Sequence, residues 1–279
     1  MSKAKNSQLT IAALCRRAGI SRQAYYQGRK RAGERRQVAG QVLEWVRAER
    51  AKHPRMGGRK LYRKLLPRMR QAGIKMGRDK LFGLLRVNNL LVSPPRSSGP
   101  RTTNGAATKW TNQLAEADIT GPNQAWVADI TYLRTFDGFC YLALISDYYS
   151  RKILGWDVAD SLELQGALRA LQQALRQQPE STGPMHHSDR AGQYRSRRYV
   201  QTLTGNDCTI SMTEENHCAE NAQAERLNGI LKDEYLMDQV FPSTEQAQRA
   251  ARQAIKLYNT DRPHLSLDYD TPDQVHRAA

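Results

Sequence analysis

The sequence predicts an α/β chain, a mixed sheet with flanking helices behind an all-α basic front region, and three observations carry that reading. Charge is split: residues 1–111 hold 27 Lys and Arg against 4 Asp and Glu, a net of +23, while the remainder holds 16 against 23, within a total of +16. Hydrophobic periodicity changes from helical to strand-like beyond Pro122. Three carboxylates then fall on separate predicted elements: Asp129 in WVADITYL, Asp189 at the end of MHHSD, and Glu225 in the middle of a helix-forming segment, with 35 residues between the last two.

In the front region, LTIAALCRRA repeats apolar positions at helical spacing and stops at Gly19, and Ser21 is an N-cap for a second short helix carrying Arg22, Tyr25 and Tyr26. A longer helix follows from Glu34 to about Lys52 and ends at His53-Pro54, because the residue before proline is pushed out of the helical region. Next comes RKLYRKLLPRMRQAG, with Leu61, Leu65 and Met69 on one face and Arg59, Lys60, Arg63 and Lys64 around it; Pro67 is expected to kink or shorten this helix. After Gly77, Leu81, Leu84 and Leu85 face inward while Arg78, Lys80 and Arg86 face out, and Leu90 to Val92 could form a wing strand. Two helix-turn-helix patterns on so basic a segment point to duplex nucleic acid. A solvated basic face is the plainer alternative.

Ser93 to Thr108 is Pro, Gly, Ser and Thr with almost no apolar content, a linker composition. Beyond it, Trp126 to Leu133, the apolar CYLALISDYYS and the stretch from Ser150 to Val158 read as three antiparallel strands, the first two joined by an Asp137-Gly138 turn. Ser161 is expected to cap a helix with Leu164, Leu168, Leu171 and Leu175 on one face. Met185 to Ser188 is a short strand, Ser196 to Leu203 a helix, Cys208 to Met212 a strand, and Glu220 to about Met237 the helix bearing Glu225. A last amphipathic helix begins at Ser243, followed by a Pro-punctuated loop. A meander followed by alternating helices and strands resembles the ribonuclease-H-like sheet.

No apolar run approaches the roughly 18 residues of a membrane span, and the basic N-terminus has no apolar segment behind it, so a cytoplasmic protein is expected. His186, His187, Cys208, His217 and Cys218 make a tempting zinc cluster, but their spacing matches no finger or ribbon, and structural roles are favoured.

The carboxylates carry the chemistry. Singly, each has an ordinary reading: a turn former, a solvated helix residue, a hydrogen-bonded strand residue. Alternation places Asp129 on one face with Val127, Thr131 and Leu133, where a charge needs cations or donors to offset desolvation. Three acidic side chains on rigid elements suit two magnesium or manganese ions, with Asp129 bridging, Asp189 on one ion and Glu225 on the other. Helical spacing sets Asn221, Ala222, Asn228, Gly229 and Lys232 beside Glu225, so Asn221, Asn228 and Lys232 are expected to meet phosphate oxygens.

WVADITY, HSDRAGQY, SMTEENHCAENAQAERLNGILKDEY and YNTDRPHLSL resemble the second-reading-frame catalytic protein of the IS-three family of bacterial insertion sequences, within the retroviral-integrase-like DDE transposases. HPRMGGRKLYRKLL and GRDKLFGLLRVNNLLV resemble the family's N-terminal helix-turn-helix region, so the likeness spans nearly the whole chain. Relatives usually carry Gly-Ser where this sequence has Ala191-Gly192. The resemblance implies metal-dependent DNA strand cleavage and joining with Asp129, Asp189 and Glu225 as the triad. It also implies a homo-oligomer on double-stranded DNA and an upstream-frame protein as fusion or partner. The domains are expected at residues 1–55 and 56–93 (helix-turn-helix-like), 94–118 (linker), 119–240 (catalytic core) and 241–279 (helix and tail). A DNA-binding regulator with an inert catalytic domain and a simple metal-dependent nuclease are the competing readings.

Overall fold

A computed structural model describes residues 10–93, 110–178, 183–214 and 221–278. Residues 94–109 of the linker expected over 94–118, together with His217 and Cys218, lie outside the described residues, and Gln113–Ala115 of that stretch form a 3-10 turn.

Four helices form the front region: α1 (Ile11–Arg17), α2 (Arg22–Lys52), α3 (Gly58–Gln71) and α4 (Arg78–Val87). Thr10 and Ser21 cap the first two by accepting from the backbone N–H groups of Ala13 and Ala24. The two helices expected between Ser21 and Lys52 are one, because Gly28 and Gly33 weaken helix without breaking it. Pro67 likewise sits inside α3, which runs four residues beyond it to Gln71. Its missing N–H is offset by burial of Leu61, Leu65 and Met69 on either side. Leu90 to Val92 form no strand. Val42, Trp45 and Val46 of α2 close a core with Leu61, Leu65, Met69, Leu81 and Leu85, leaving most of the N-terminal half of α2 exposed.

The rear region is a six-stranded sheet ordered β3-β2-β1-β4-β5, in which β6 pairs with the far end of β1. The strands β1 (Ala125–Thr135), β2 (Gly138–Asp147) and β3 (Ile153–Ala159) are the expected antiparallel meander. Gly138, at φ 126°, makes the tight turn that the Asp-Gly pair signalled. The strands β4 (Met185–Ser188) and β5 (Thr209–Met212) run parallel to β1. Between them α5 (Leu164–Leu175), α6 (Gly192–Arg195) and α7 (Arg197–Thr204) cover one face. The helix α5 starts with Glu163 at its N-cap rather than with Ser161. It approaches β3 so closely that a Cβ at Gly155 would lie 1.9 Å from the Ala170 carbonyl oxygen.

The other face is covered by α8 (Ala222–Glu234) and α9 (Thr244–Thr260), with β6 (Val240–Phe241) between them. Because α8 begins at Ala222, Glu225 stands in its first turn and not mid-helix. Ala247, Ala251, Ala254, Ile255 and Tyr258 of α9 share one core with Leu133, Leu142 and Leu144 of the sheet. The tail expected as a loop contains a further helix, α10 (Pro272–Ala278), after a single 3-10 turn.

Front and rear meet through buried charge. The His53 imidazole lies between the Tyr235 hydroxyl at 3.0 Å and Asp261 Oδ2 at 2.8 Å. Glu234 accepts two hydrogen bonds from Arg262, at 2.8 and 2.9 Å, and pairs with Lys60 of α3. Lys64 pairs with Asp261 at 2.6 Å and with Glu49 at 3.2 Å.

Candidate active site

The sheet register brings the carboxylates together. In the parallel pair of β1 and β4, Ala128 is opposite Ser188, so the next residues, Asp129 within β1 and Asp189 just past the end of β4, lie side by side. Alternation along β1 sends Trp126 and Ala128 into the core under α5 and α7, and Val127 toward Ala224 of α8. Asp129 therefore faces α8, where Asn228 Nδ2 donates to its Oδ2 at 2.6 Å, while the Ile130 N–H donates to its Oδ1 at 2.9 Å. Asp189 Oδ1 accepts from the Ala191 N–H at 3.0 Å, which fixes the turn at the strand end. Glu225 is exposed, one helical turn from Asn228.

Electrostatics mark Asp129 as the strained member. Burial first, then the neighbouring Asp189 charge, and last Glu225, push its carboxyl up to about 7; the donors Ile130 and Asn228 oppose that rise. With only protein around it, ionising Asp129 is therefore harder than for an ordinary carboxyl. An all-oxygen, all-carboxylate donor set is what hard divalent cations such as magnesium and manganese take, and it offers nothing to soft metals. The oxygens are not drawn onto one point. Among the described residues, the group of acidic and imidazole side chains whose ligand atoms all lie within 4.8 Å is Glu49, His53 and Asp261, and Lys64 already pairs with both of its carboxylates.

Two expected phosphate ligands turn inward. Asn221 is buried and donates to the Ala128 carbonyl at 3.3 Å, and Asn228 is spent on Asp129, so both amides tie α8 to β1. Their position beside Glu225 was readable from helical spacing; their direction was not, since it depends on how α8 sits on the sheet. Lys232 is half-buried in the field of Asp129, with burial lowering its pKa and Asp129 raising it. In the front region Arg59, Arg63, Arg78, Lys80 and Arg86 are exposed. Lys60 and Lys64 are not: 15% and 13% of their side chains are accessible, and both are paired with rear-region carboxylates. The histidine pair is structural, with His186 Nε2 bonded to the Tyr199 hydroxyl at 3.0 Å and His187 Nδ1 to the Ser211 hydroxyl at 2.8 Å.

Comparison with known proteins gives the family of the chain. Residues 119–218 match one integrase core domain family, and residues 206–272 match a second of the same description. A transposase for insertion sequence element IS629 of Shigella sonnei is 30% identical over 97% of this chain and 93% of its own length. The transposase InsF for insertion sequence IS3A of Escherichia coli (strain K12) is 30% identical over 96% and 94%. The chain belongs to the IS3 family of insertion-sequence transposases. Among solved structures, the catalytic core domain of HTLV-2 integrase in complex with magnesium is 20% identical, covers 56% of this chain and 97% of its own, and superposes with a TM-score of 0.44. The ribonuclease-H-like sheet expected from the sequence lies within the residues matched by the integrase core families, in a chain that its relatives make an IS3-family polynucleotidyl transferase. Among the described residues of this transposase, no helix is long and apolar enough to cross a membrane.

Proposed function

We propose that this chain is a DNA transposase that cleaves a DNA strand and joins its end to a target, with Asp129, Asp189 and Glu225 as its catalytic carboxylates. The observation that carries the reading is that Asp129, within β1, and Asp189, just past the end of the paired β4, lie side by side under the helix bearing Glu225. Two magnesium or manganese ions held by these three side chains would supply activation of the attacking oxygen and charge neutralisation at the leaving oxygen.

The chain's own groups prepare that site. Asn228 and the Ile130 N–H hold both oxygens of Asp129 in place, and the Ala191 N–H orients Asp189. Such fixed donors keep the site ready before substrate arrives, so less reorganisation remains for the reaction itself. Ala191-Gly192, where relatives carry Gly-Ser, still provides this N–H, which supports an intact turn. Arg59, Arg63, Arg78, Lys80 and Arg86 provide an exposed basic surface for duplex phosphates, and Lys232 a cation nearer the carboxylates. The protein acts as a homo-oligomer on element ends and target, with the upstream-frame protein as fusion or partner. Its place of action is the bacterial cytoplasm, on the nucleoid.

The test uses labelled duplexes carrying an element end, an unlabelled target and magnesium. Products longer than the donor, absent with Asp129→Asn, Asp189→Asn or Glu225→Gln while DNA binding persists, are the expected result. Hydrolysis without joining would make the protein a nuclease, and binding with neither reaction a regulator.

A further inference from the structure

A cavity of about 340 Å³ opens beside α8, between that helix, the β2–β3 turn and the loop after α9. Nothing in the proposed cleavage chemistry uses it. Its size lies at the lower end of small-ligand pockets, roughly 300–1,000 Å³. Its lining includes Tyr148, Arg151, Gln223, Arg226, Tyr258 and His264.

Three features give this lining a ligand preference. Among the described residues neither Arg151 nor Arg226 forms an ion pair, although the Asp147 charge acts on Arg151, and two such guanidiniums lining one concave surface match a phosphodiester. Arg151 is also held in a left-handed backbone conformation, at φ 65°, with its guanidinium 5.1 Å from the Tyr148 ring centroid and its carbonyl accepting from the Tyr258 hydroxyl at 3.1 Å. Such a conformation is unfavourable for a residue with a side chain, and here it fixes where the cation points. Gln223 donates from Nε2 to the Asp147 carbonyl at 3.3 Å, which leaves its Oε1 buried with no donor. A buried acceptor without a donor is costly, and a base-edge N–H or N–H₂ would satisfy it.

Phosphate-binding cations, an aromatic wall and an unmet acceptor are together the requirements of one nucleotide. We infer that this cavity receives a single unpaired nucleotide of a DNA strand, its phosphate on Arg151 and Arg226, its base beside Tyr148 with an edge donor on Gln223. The inference rests on the reading of the chain as a DNA-handling enzyme. Because Arg226 directly follows Glu225 on α8, a strand whose phosphate lies at the carboxylates can place a neighbouring nucleotide across the helix. Stacking and cation contacts of this kind favour single strands over intact duplex.

The experiment uses the full chain with a chelator present, so that binding is separated from reaction. Two fluorescent DNA probes are compared, a blunt duplex and the same duplex with a short single-stranded tail containing 5-iodouracil for photocrosslinking. Arg226→Ala should weaken the tailed probe about tenfold, the loss of one charge-assisted contact, and leave the blunt probe unchanged. Lys256→Ala, on the exposed side of α9, should change neither. With the parent protein, the probe's single-stranded tail should crosslink to Tyr148. If both probes bind, yet Arg226→Ala and Arg151→Gln equal the parent on the tail and crosslinks map elsewhere, the pocket assignment is wrong and the DNA reading stands. If the parent binds neither probe, the DNA reading itself fails and takes the pocket with it.

Discussion

Asn228 Nδ2 lies 2.6 Å from Asp129 Oδ2, a bond that spans α8 and β1 and joins residues 99 apart in sequence. It holds one oxygen of the carboxylate that the site strains most. Asn228 is therefore a positioning residue. Asn228→Leu, which keeps volume but removes the donor, should lower strand cleavage roughly ten- to hundredfold, the worth of a hydrogen bond to a charged group of about 1.5–3 kcal/mol. More magnesium should recover part of the loss, because a cation can replace the missing donor. A magnesium titration of cleavage checks this, and a flat response at the reduced rate would remove Asn228 from the role.

Asp129 makes the metal-free protein pH-sensitive. Its carboxyl stands near 7 in the fold against 3.8 ordinarily, raised by burial first and then by Asp189. A raised carboxyl contributes its stability below its unfolded value and loses it as pH rises through about 7. The full shift corresponds to on the order of 4 kcal/mol, an upper bound for a half-buried group. Melting of the metal-free chain should thus fall between about pH 4 and 7, and magnesium should restore it at the upper end. Asp129→Asn should flatten that fall and respond less to magnesium. Equal pH profiles for the two proteins would show that Asp129 is not the strained group.

How much of this was legible in the sequence depends on whether a feature is local. The meander, the Asp137-Gly138 turn and the strand ending at Asp189 follow from alternation and turn chemistry, which act over a few residues. Helix starts at Ser21, Ser196 and Ser243 follow from side-chain caps that the structure retains. Glycine and proline misled where tertiary burial outweighed them, in the single helix α2 and in the α3 that continues past Pro67. Least legible was anything requiring two distant elements to meet. The triad's order is written in the chain, but the inward turn of Asn221 and Asn228 and the capture of Lys60 and Lys64 by Glu234 and Asp261 arise only when helices dock.

That docking surface yields its own prediction. Arg262 is only 2% exposed, and its charge is balanced by Glu234 at 2.8 Å. Burial pushes the Glu234 carboxyl up, but the hydrogen bonds and charge of Arg262, with Lys60, outweigh it and hold the carboxyl at about 2. A depressed carboxyl contributes stability above its ordinary value of 4.5 and loses it as pH falls toward about 2. Glu234→Leu leaves a buried guanidinium uncompensated and should cost about 3–5 kcal/mol, or roughly 10 °C in melting temperature. Adding Arg262→Met should recover part of that loss, since only Lys60, 15% exposed, is then left without its carboxylate. A double variant as unstable as Glu234→Leu alone would show that the contact matters through packing and not through charge.

The last prediction separates the basic side chains of the front region into two populations. Arg78, Lys80 and Arg86 are exposed on α4, whereas Lys64 on α3 bonds both the carbonyl and the carboxylate of Asp261, at 3.0 and 2.6 Å. Only the first population is free to displace condensed counterions from a duplex. Each phosphate contact contributes about one unit to the dependence of log affinity on log salt. Replacing Lys80 or Arg86 by Ala should therefore weaken duplex binding and reduce that slope by about one each. Lys64→Ala should leave the slope unchanged and lower the melting temperature instead, because it strips a partner from Asp261 and Glu49. Binding measured from 50 to 200 mM salt, beside thermal melts of the same proteins, decides the matter. A Lys64 variant that loses slope without losing stability would mean that the docked arrangement opens when DNA binds, and would return Lys64 to the DNA-facing set.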